Sequence, residues 1–398
     1  MRKIDLNNFQ VATSGTARDI NRRIVLNLIR KHQPVSRADL SRQSGLQRST
    51  VSAITEELIA QRWISEAGIG HLPRGRSPKF LHLNDQRVGI IGVNVRPIQT
   101  TIAVAGLDTT FLSQESMITG NDPVVFLREL IRRIRTLMDA HPEIEYEAIG
   151  VALPGRVDSA SHRLVFAPNL GWKAFDLKKP LEEATGLPVE LQNAANACAL
   201  AELWSGRHGE SVRNLVAVTV SEGIGVGMIL NGQLVTGATG LAGEFGHVTI
   251  VENGPLCGCG NRGCWEKCGS NTAAINFYTE SGNGFAKVGP SGLSFDNLLK
   301  LVEQGDRKAG AALDRMAKFL GVGLAMVVRG LEPDIVVLVG EVTRAWDRVG
   351  PIVRTAMEER MGARAGTRIV PTDPDTEPRL RGTIALALQK HFGAPKVA

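Results

Sequence analysis

From Val88 onward, short apolar runs alternate with helical stretches, and this alternation restricts the fold more than any other feature. "VGIIGVNV" and "TTIAVAGLD" read as two neighbouring strands. A helix is expected over 123–140, then the strand "AIGVALPG" at 148–155. The same order returns with "LVAVTVSEGIGVGMIL" at 215–230, a helix over 306–331 and the strand "DIVVLVG" at 334–340. Elements of this length bury their apolar faces by layering, so a hairpin, helix and strand repeated once predict an α/β chain of two lobes with a cleft between them. The longest apolar runs, such as "IVVLV" at 335–339, are strand-sized and far short of a membrane span. The segment after Met1 is polar and charged, without the apolar stretch of a secretory signal, so a cytoplasmic protein is expected. With 398 residues, the chain is long enough for two or three domains.

The first part of the chain has a different pattern. "NRRIVLNLIRKHQ" (21–33) places Ile24, Val25, Leu28 and Ile29 on one helical face, and Pro34 ends it. In "SRADLSRQSG", Ser36 and Asp39 have capping-box spacing, and Gly45 closes the helix. "LQRSTVSAITEELIAQRW" (46–63) repeats apolar positions at Val51, Ile54, Leu58 and Ile59. "WISEAGIGHLPRGRSPKFLHL" reads as a strand, a Gly/Pro-rich tip and a returning strand. Together these predict a winged helix-turn-helix that binds double-stranded operator DNA. Gln47, Arg48, Ser49, Thr50 and Ser52 open the third helix, whose start reaches base edges in the major groove. Arg74 and Arg76, separated by a glycine at the wing tip, suit a narrow minor groove. Charge points the same way. Residues 1–85 hold 14 Lys+Arg against 7 Asp+Glu, whereas the remainder holds 32 against 33. A polyanion partner is therefore expected for this segment alone. The composition shift near Asn84 divides the chain into a DNA-binding domain, 1–84, and a second domain, 85–398.

Of the five cysteines, Cys257, Cys259, Cys264 and Cys268 lie within twelve residues. In a cytoplasmic chain such clustering points to metal before disulfides. His247, ten residues upstream of Cys257, completes a tetrahedral zinc set with Cys257, Cys259 and Cys264. No ligand position is left open for catalysis, so the zinc would be structural. The CxC spacing is tighter than common zinc ribbons use. Cys268 is spare, and Cys198, alone on a helix, is assigned to the core.

"GATGLAGEFGHVTI" followed by "CGCGNRGCWE" resembles the signature of the ROK family: bacterial repressors, open reading frames and sugar kinases. The similarity covers nearly the whole chain, including the winged helix that only the family's regulators carry. It implies the actin-like, hexokinase-type fold of two lobes, zinc on the four residues just named, and a homodimer or homotetramer. It also implies a sugar site. Glu244 and His247 match the "ExGH" element, Glu266 ends the cysteine motif, "APNLGW" supplies Asn169, and "QNAAN" supplies Asn193. Gly155 in "LPG" would let backbone approach the sugar ring. Carboxylates and amides offer paired acceptors and donors to vicinal hydroxyls.

Four positions depart from the family's kinases. Their "NDAN" turn carries the base, and this chain has Ala194 there. Their first phosphate loop resembles "D-x-G-G-T", but here "NVRPI" places Asn94, Arg96 and Pro97. Their second resembles "GTGIGAG", but "SEGIGVG" places Glu222 where phosphates would sit, and like charges repel. A "GG" pair on the nucleotide side is Gly340-Glu341. The reading is a sugar-responsive DNA-binding transcriptional regulator, a repressor rather than an enzyme, with a sugar or sugar-phosphate effector. The alternatives are an ATP-dependent sugar kinase with an appended DNA-binding domain, and a DNA-binding protein that ignores sugars.

Overall fold

The computed structural model describes residues 13–69, 79–158, 161–205, 208, 211–279, 292–361 and 366–393. Thr13 starts helix α1 (Ser14–His32): its hydroxyl accepts from the Thr16 amide, and the Thr16 side chain accepts from Thr13 in return. The helix thus begins seven residues before the apolar periodicity does. A cap fixes its first turns, and those turns bury little. After β1 (Val35–Ser36), the Ser36–Asp39 capping box opens α2 (Arg37–Ser44), and Gly45, at φ +72°, closes it in the left-handed region. Helix α3 (Arg48–Ala60) buries Val51, Ile54 and Leu58. Strands β2 (Ile64–Ile69) and β3 (Lys79–Leu83) pair antiparallel, and β1 adds to β3, forming the sheet of a wing.

The first lobe follows: β4 (Val88–Asn94), β5 (Gln99–Gly106), β6 (Phe111–Ile118), α4 (Pro123–Ala140), β7 (Glu145–Leu153), the small hairpin β8 (Arg156–Val157) and β9 (Leu164–Phe166), α5 (Lys178–Thr185) and β10 (Val189–Asn193). Its sheet runs β10-β7-β4-β5-β6, with β4, β5 and β6 antiparallel and β7 and β10 added in parallel. Helix α6 (Ala194–Ser205) leads into the second lobe: β11 (Leu215–Val220), β12 (Ile224–Leu230), β13 (Gln233–Leu234), α7 (Trp265–Gly269), α8 (Asn271–Thr279), α9 (Phe295–Glu303), α10 (Arg307–Leu331), β14 (Ile335–Val339), α11 (Trp346–Met361) and β15 (Arg368–Pro371). Its sheet runs β13-β12-β11-β14-β15, again a meander extended by parallel strands. The repeated pattern in the sequence is therefore the repeated topology of two lobes.

The last helix, α12 (Pro378–Phe392), returns to the first lobe and lies on β4 and β7, with α6 along its other side. Close approach demands glycine here. A Cβ on Gly150 of β7 would stand 1.9 Å from the Thr383 carbonyl oxygen, and one on Gly382 would stand 2.4 Å from that of Ala197. Nothing in the sequence of α12 announces this return. The apolar core of the winged helix is also continuous with the first lobe: Val25, Leu26, Ile29, Leu58 and Trp63 cluster with Val88, Ile90, Ile384, Leu388 and Phe392. Among the described residues, no helix is long and apolar enough to cross a membrane.

Candidate sugar-binding cleft

The ends of parallel strands face the gap between the lobes, where ligands of open α/β sheets bind. Beyond β7, Gly155 adopts φ +113°, and a Cβ there would stand 2.4 Å from the Phe166 carbonyl oxygen. The turn carrying Asn169 is thus laid directly against Gly155. At the end of β10, Asn193 donates through Nδ2 to the Gly155 carbonyl at 2.7 Å, and its Oδ1 accepts from the Ala195 amide at 2.8 Å. One side chain therefore ties the Gly155 turn to the start of α6. From the second lobe, the tight turn Glu244–His247 and the first turn of α7 bring in Glu244, His247 and Glu266. Gly155, Asn169, Asn193, Glu244, His247 and Glu266 all line one cavity of about 370 Å³. Ala194 lines it too, and its methyl group offers no proton acceptor.

His247 faces two ways. Its Nδ1 lies 3.5 Å from Cys257 Sγ and 3.9 Å from Glu266 Oε1, while its Nε2 lies 3.6 Å from Glu244 Oε2. Glu266 is buried, 7% exposed, with Cys257 Sγ at 3.1 Å and Lys267 Nζ at 3.6 Å from Oε1. Burial pushes the Glu244 carboxyl above its ordinary value, against the pull of His247. The ligand atoms of His247, Cys257, Cys259 and Cys264 all lie within 4.8 Å of one another, and Cys259 Sγ is 3.7 Å from Cys264 Sγ. A tetrahedral zinc with Zn–S of about 2.3 Å and Zn–N of about 2.0 Å sets thiolates about 3.8 Å apart and nitrogen about 3.5 Å from sulfur. The donor set and spacing fit that ion. Burial raises the Cys257 and Cys264 thiols, Cys264 to about 11. Below the loop, Trp265 is fully buried and donates from Nε1 to the Phe319 carbonyl at 3.0 Å, anchoring α7 to α10.

A second cavity of about 490 Å³ adjoins the first and shares Asn94, Arg96, Glu222 and Arg379 with it. Here Arg96, just beyond β4, reaches across to the second lobe. Its guanidinium lies 3.1 Å from Glu222 Oε1 and 2.9 Å from Glu341 Oε1. Asn271 Nδ2 donates to the other Glu341 oxygen at 3.0 Å. Burial works to raise the Glu341 carboxyl, yet Arg96 and Arg379 hold it below its ordinary value. The sequence presents Arg96, Glu222 and Glu341 as separate departures; the structure joins them in one interlobe ion-pair cluster. Their opposite signs were the available signal.

In the winged helix, Gln47 precedes α3 without making a side-chain cap bond, and Arg48, Ser49 and Thr50 form the first turn. Gln47, Arg48 and Ser49 are exposed, while Thr50 and Ser52 are half-buried. Arg74 and Arg76 lie outside the described residues.

The ROK family profile matches residues 90–390, and a winged helix-turn-helix DNA-binding profile matches residues 18–65. The xylose repressor of Bacillus subtilis (strain 168) is 31% identical over 359 residues, covering 89% of this chain and 91% of that protein. The glucokinase of Thermotoga maritima is 33% identical over 262 residues, covering 63% of this chain and 81% of that enzyme. A crystal structure of a ROK family transcriptional regulator, homologous to the E. coli MLC protein, superposes with a TM-score of 0.80 at 26% identity, covering 95% of this chain and 98% of that one. A ROK family glucokinase from Streptomyces griseus, solved with glucose and AMPPNP, gives 0.67 at 26% identity and covers 76% of this chain and 99% of that one. The regulators match across the winged helix and both lobes, and on this breadth the chain belongs to the ROK family.

Proposed function

We propose that this chain is a sugar-responsive transcriptional repressor whose kinase-like cleft binds a sugar without phosphorylating it. The winged helix and the repressor relatives support the regulatory role. The observation that carries the loss of chemistry is Arg96, bonded to Glu222 and Glu341 across the nucleotide side of the cleft. Phosphates entering there would meet two carboxylates and would have to displace their counter-ion. Ala194 offers no base beside the sugar cavity. The rival reading, a working sugar kinase with a DNA-binding domain, draws on the glucokinase relatives but must overcome both features.

In this reading Asn169, Asn193, Glu244, His247 and Glu266 hold sugar hydroxyls, and Gly155 admits the ring beside its backbone. His247, Cys257, Cys259 and Cys264 would hold a structural zinc, which supplies the charge that keeps three thiols ionised. His247 would then be fixed through Nδ1, with Nε2 left for the sugar. Arg48 and its neighbours contact operator DNA, with Arg74 and Arg76 in the wing. The protein works in the cytoplasm as a homodimer or homotetramer. A sugar regulates by binding one lobe arrangement better than the other.

The deciding experiment is calorimetric titration of the zinc-loaded protein with D-xylose, D-glucose and their phosphates, with ATP–Mg alongside. One sugar binding and no ATP binding is the expected result; ATP binding overturns the non-kinase reading. Arg48→Ala is expected to weaken DNA binding and reduce its salt slope by about 1. Unchanged binding would place the DNA face elsewhere.

A further inference from the structure

Helices α6 and α12 share an arrangement that sugar binding alone does not require. Both begin at the cleft: Ala194 lines the sugar cavity, and Arg379 lines both cavities. They then run together, with Gly382 set against the Ala197 backbone. Helix α6 packs on β11 and β12 of the second lobe, whereas α12 packs on β4 and β7 of the first. Their contact therefore joins the two lobes, and Ala385 and Leu386 of α12 also reach the second lobe's core. Their far ends meet at Trp204 and Phe392, whose rings stand edge to face with centroids 5.1 Å apart.

Helix α1 of the winged helix seats on that junction. Arg30 donates from Nη1 to the Trp204 carbonyl at 3.2 Å, and its guanidinium lies 4.8 Å from the Trp204 ring and 5.5 Å from the Phe392 ring. Asn27 Nδ2 donates to the Phe392 carbonyl at 2.9 Å, and Arg23 Nη1 to that of Gly393 at 2.7 Å. Asn27 and Arg23 thus hold α12 alone. Arg30 touches both helices, and so both lobes.

We propose that Arg30 is the positioning residue through which a change in lobe angle at the cleft reaches the DNA-binding domain. Helices of 12 and 15 residues are stiff struts of about 18 and 22 Å. When the lobes move, the start of α6 shifts against the start of α12, and Trp204 shifts against Phe392. A cation packed on both rings cannot keep both contacts, so α1 must follow one of them. The proposal rests on the sugar-regulator reading and adds the route.

Two arms test it on the full chain. The first uses D-xylose and a duplex enriched from a random-sequence pool by the parent protein. In Arg30→Ala, xylose affinity and duplex affinity without sugar should stay at parental values and the thermal midpoint should fall by no more than about 5 °C, while the sugar-induced change in duplex affinity falls from about tenfold to under about threefold. Arg30→Lys, which keeps charge and stem and guards against a folding defect, should give an intermediate change. A full parental response in both variants, or an equal loss of duplex affinity with and without sugar, overturns the proposal. The second arm needs no sugar. Arg379→Ala and Arg30→Ala are combined, and hydrogen exchange of the α1 amides is measured. Separated sites add unless coupled. Non-additive protection supports the route, and additive protection overturns it. If none of the sugars binds, the effector reading fails while this arm still decides the proposal.

Discussion

The cleft has two ends built from the same two lobes and left in opposite chemical states. At the sugar end, polar groups converge on an open cavity: Glu244 and Glu266 face it with His247 between them, and Asn169 enters from the other lobe. At the nucleotide end, the charges are already engaged with one another through Arg96, Glu222 and Glu341. Burial raises the carboxyl of Glu244, whereas arginines hold that of Glu341 down despite burial. One end leaves groups available to hydroxyls. The other satisfies its own groups across the lobe boundary. In the proposed reading, the scaffold keeps a sugar site at one end and fills the other with an internal ion pair.

The largest expected effect lies at the sugar end. Cys259→Ala removes one of the four proposed zinc ligands and should release the loop that places His247 and Glu266. Zinc content by mass spectrometry should fall from one per chain towards zero, and sugar affinity should drop about 100-fold or more. Full zinc content in the variant would refute the ligand set. Retained sugar affinity in a zinc-free variant would show that the end is organised without the metal.

Next in size is Arg96→Ala, which leaves Glu222 and Glu341 near each other without their shared cation. Both side chains are only partly shielded, 28% and 19% exposed, so the loss should be about 2 kcal/mol rather than the larger cost of breaking a fully buried pair. Urea midpoints measure it. Sugar affinity should change by no more than about threefold if the two ends are chemically separate. A stability equal to that of the parent would mean that the ion pair does not hold the nucleotide end together.

Much of this contrast was legible in the residues, but unevenly. Helical periodicity located α4, and fully apolar runs located β11 and β14, because each element's burial is written in its own segment. Capping geometry at Ser36 and Gly45 was legible for the same reason. The six residues proposed for the sugar came from the resemblance to the family's motifs, and they line one cavity. Relations between distant segments were not. Arg96, Glu222 and Glu341 are far apart in the chain, and only the meeting of two lobes makes them one cluster. The return of α12 to the first lobe was equally hidden: an amphipathic helix states that it packs, not on which sheet. The composition shift near Asn84 is real, yet it gives no sign that Trp63 and Phe392 share one apolar cluster.

A smaller effect, with a defined pH dependence, is expected for Glu341→Gln. The folded protein holds this carboxyl below its ordinary value of 4.5. Its ionised form therefore stabilises the fold above about pH 4.5, and that contribution is lost as pH falls through the lower folded value. The variant should be about 1 kcal/mol less stable than the parent at neutral pH, and the difference should shrink in acid. Urea unfolding at both conditions checks it. A difference independent of pH would assign the effect to packing or to the Asn271 hydrogen bond instead of to charge.

The smallest expected effect is the most direct attempt to break the comparison. Ala194→Asp returns a carboxylate to the turn where the family's kinases carry their base, inside the sugar cavity. If the missing base were the sole obstacle, ATP-dependent phosphorylation of D-glucose or D-xylose should appear in a coupled assay. The ion-pair cluster predicts otherwise, because a base at the sugar end cannot act while Arg96 and two glutamates occupy the nucleotide end. Turnover should stay at the blank. Measurable turnover would show that ATP can part Arg96 from its partners, and the two ends would then differ in occupancy rather than in chemistry. Adding Arg96→Gly and Glu222→Thr to Ala194→Asp sharpens the test: activity gained only in the triple variant would locate the lost function in the ion pair as well as in the base.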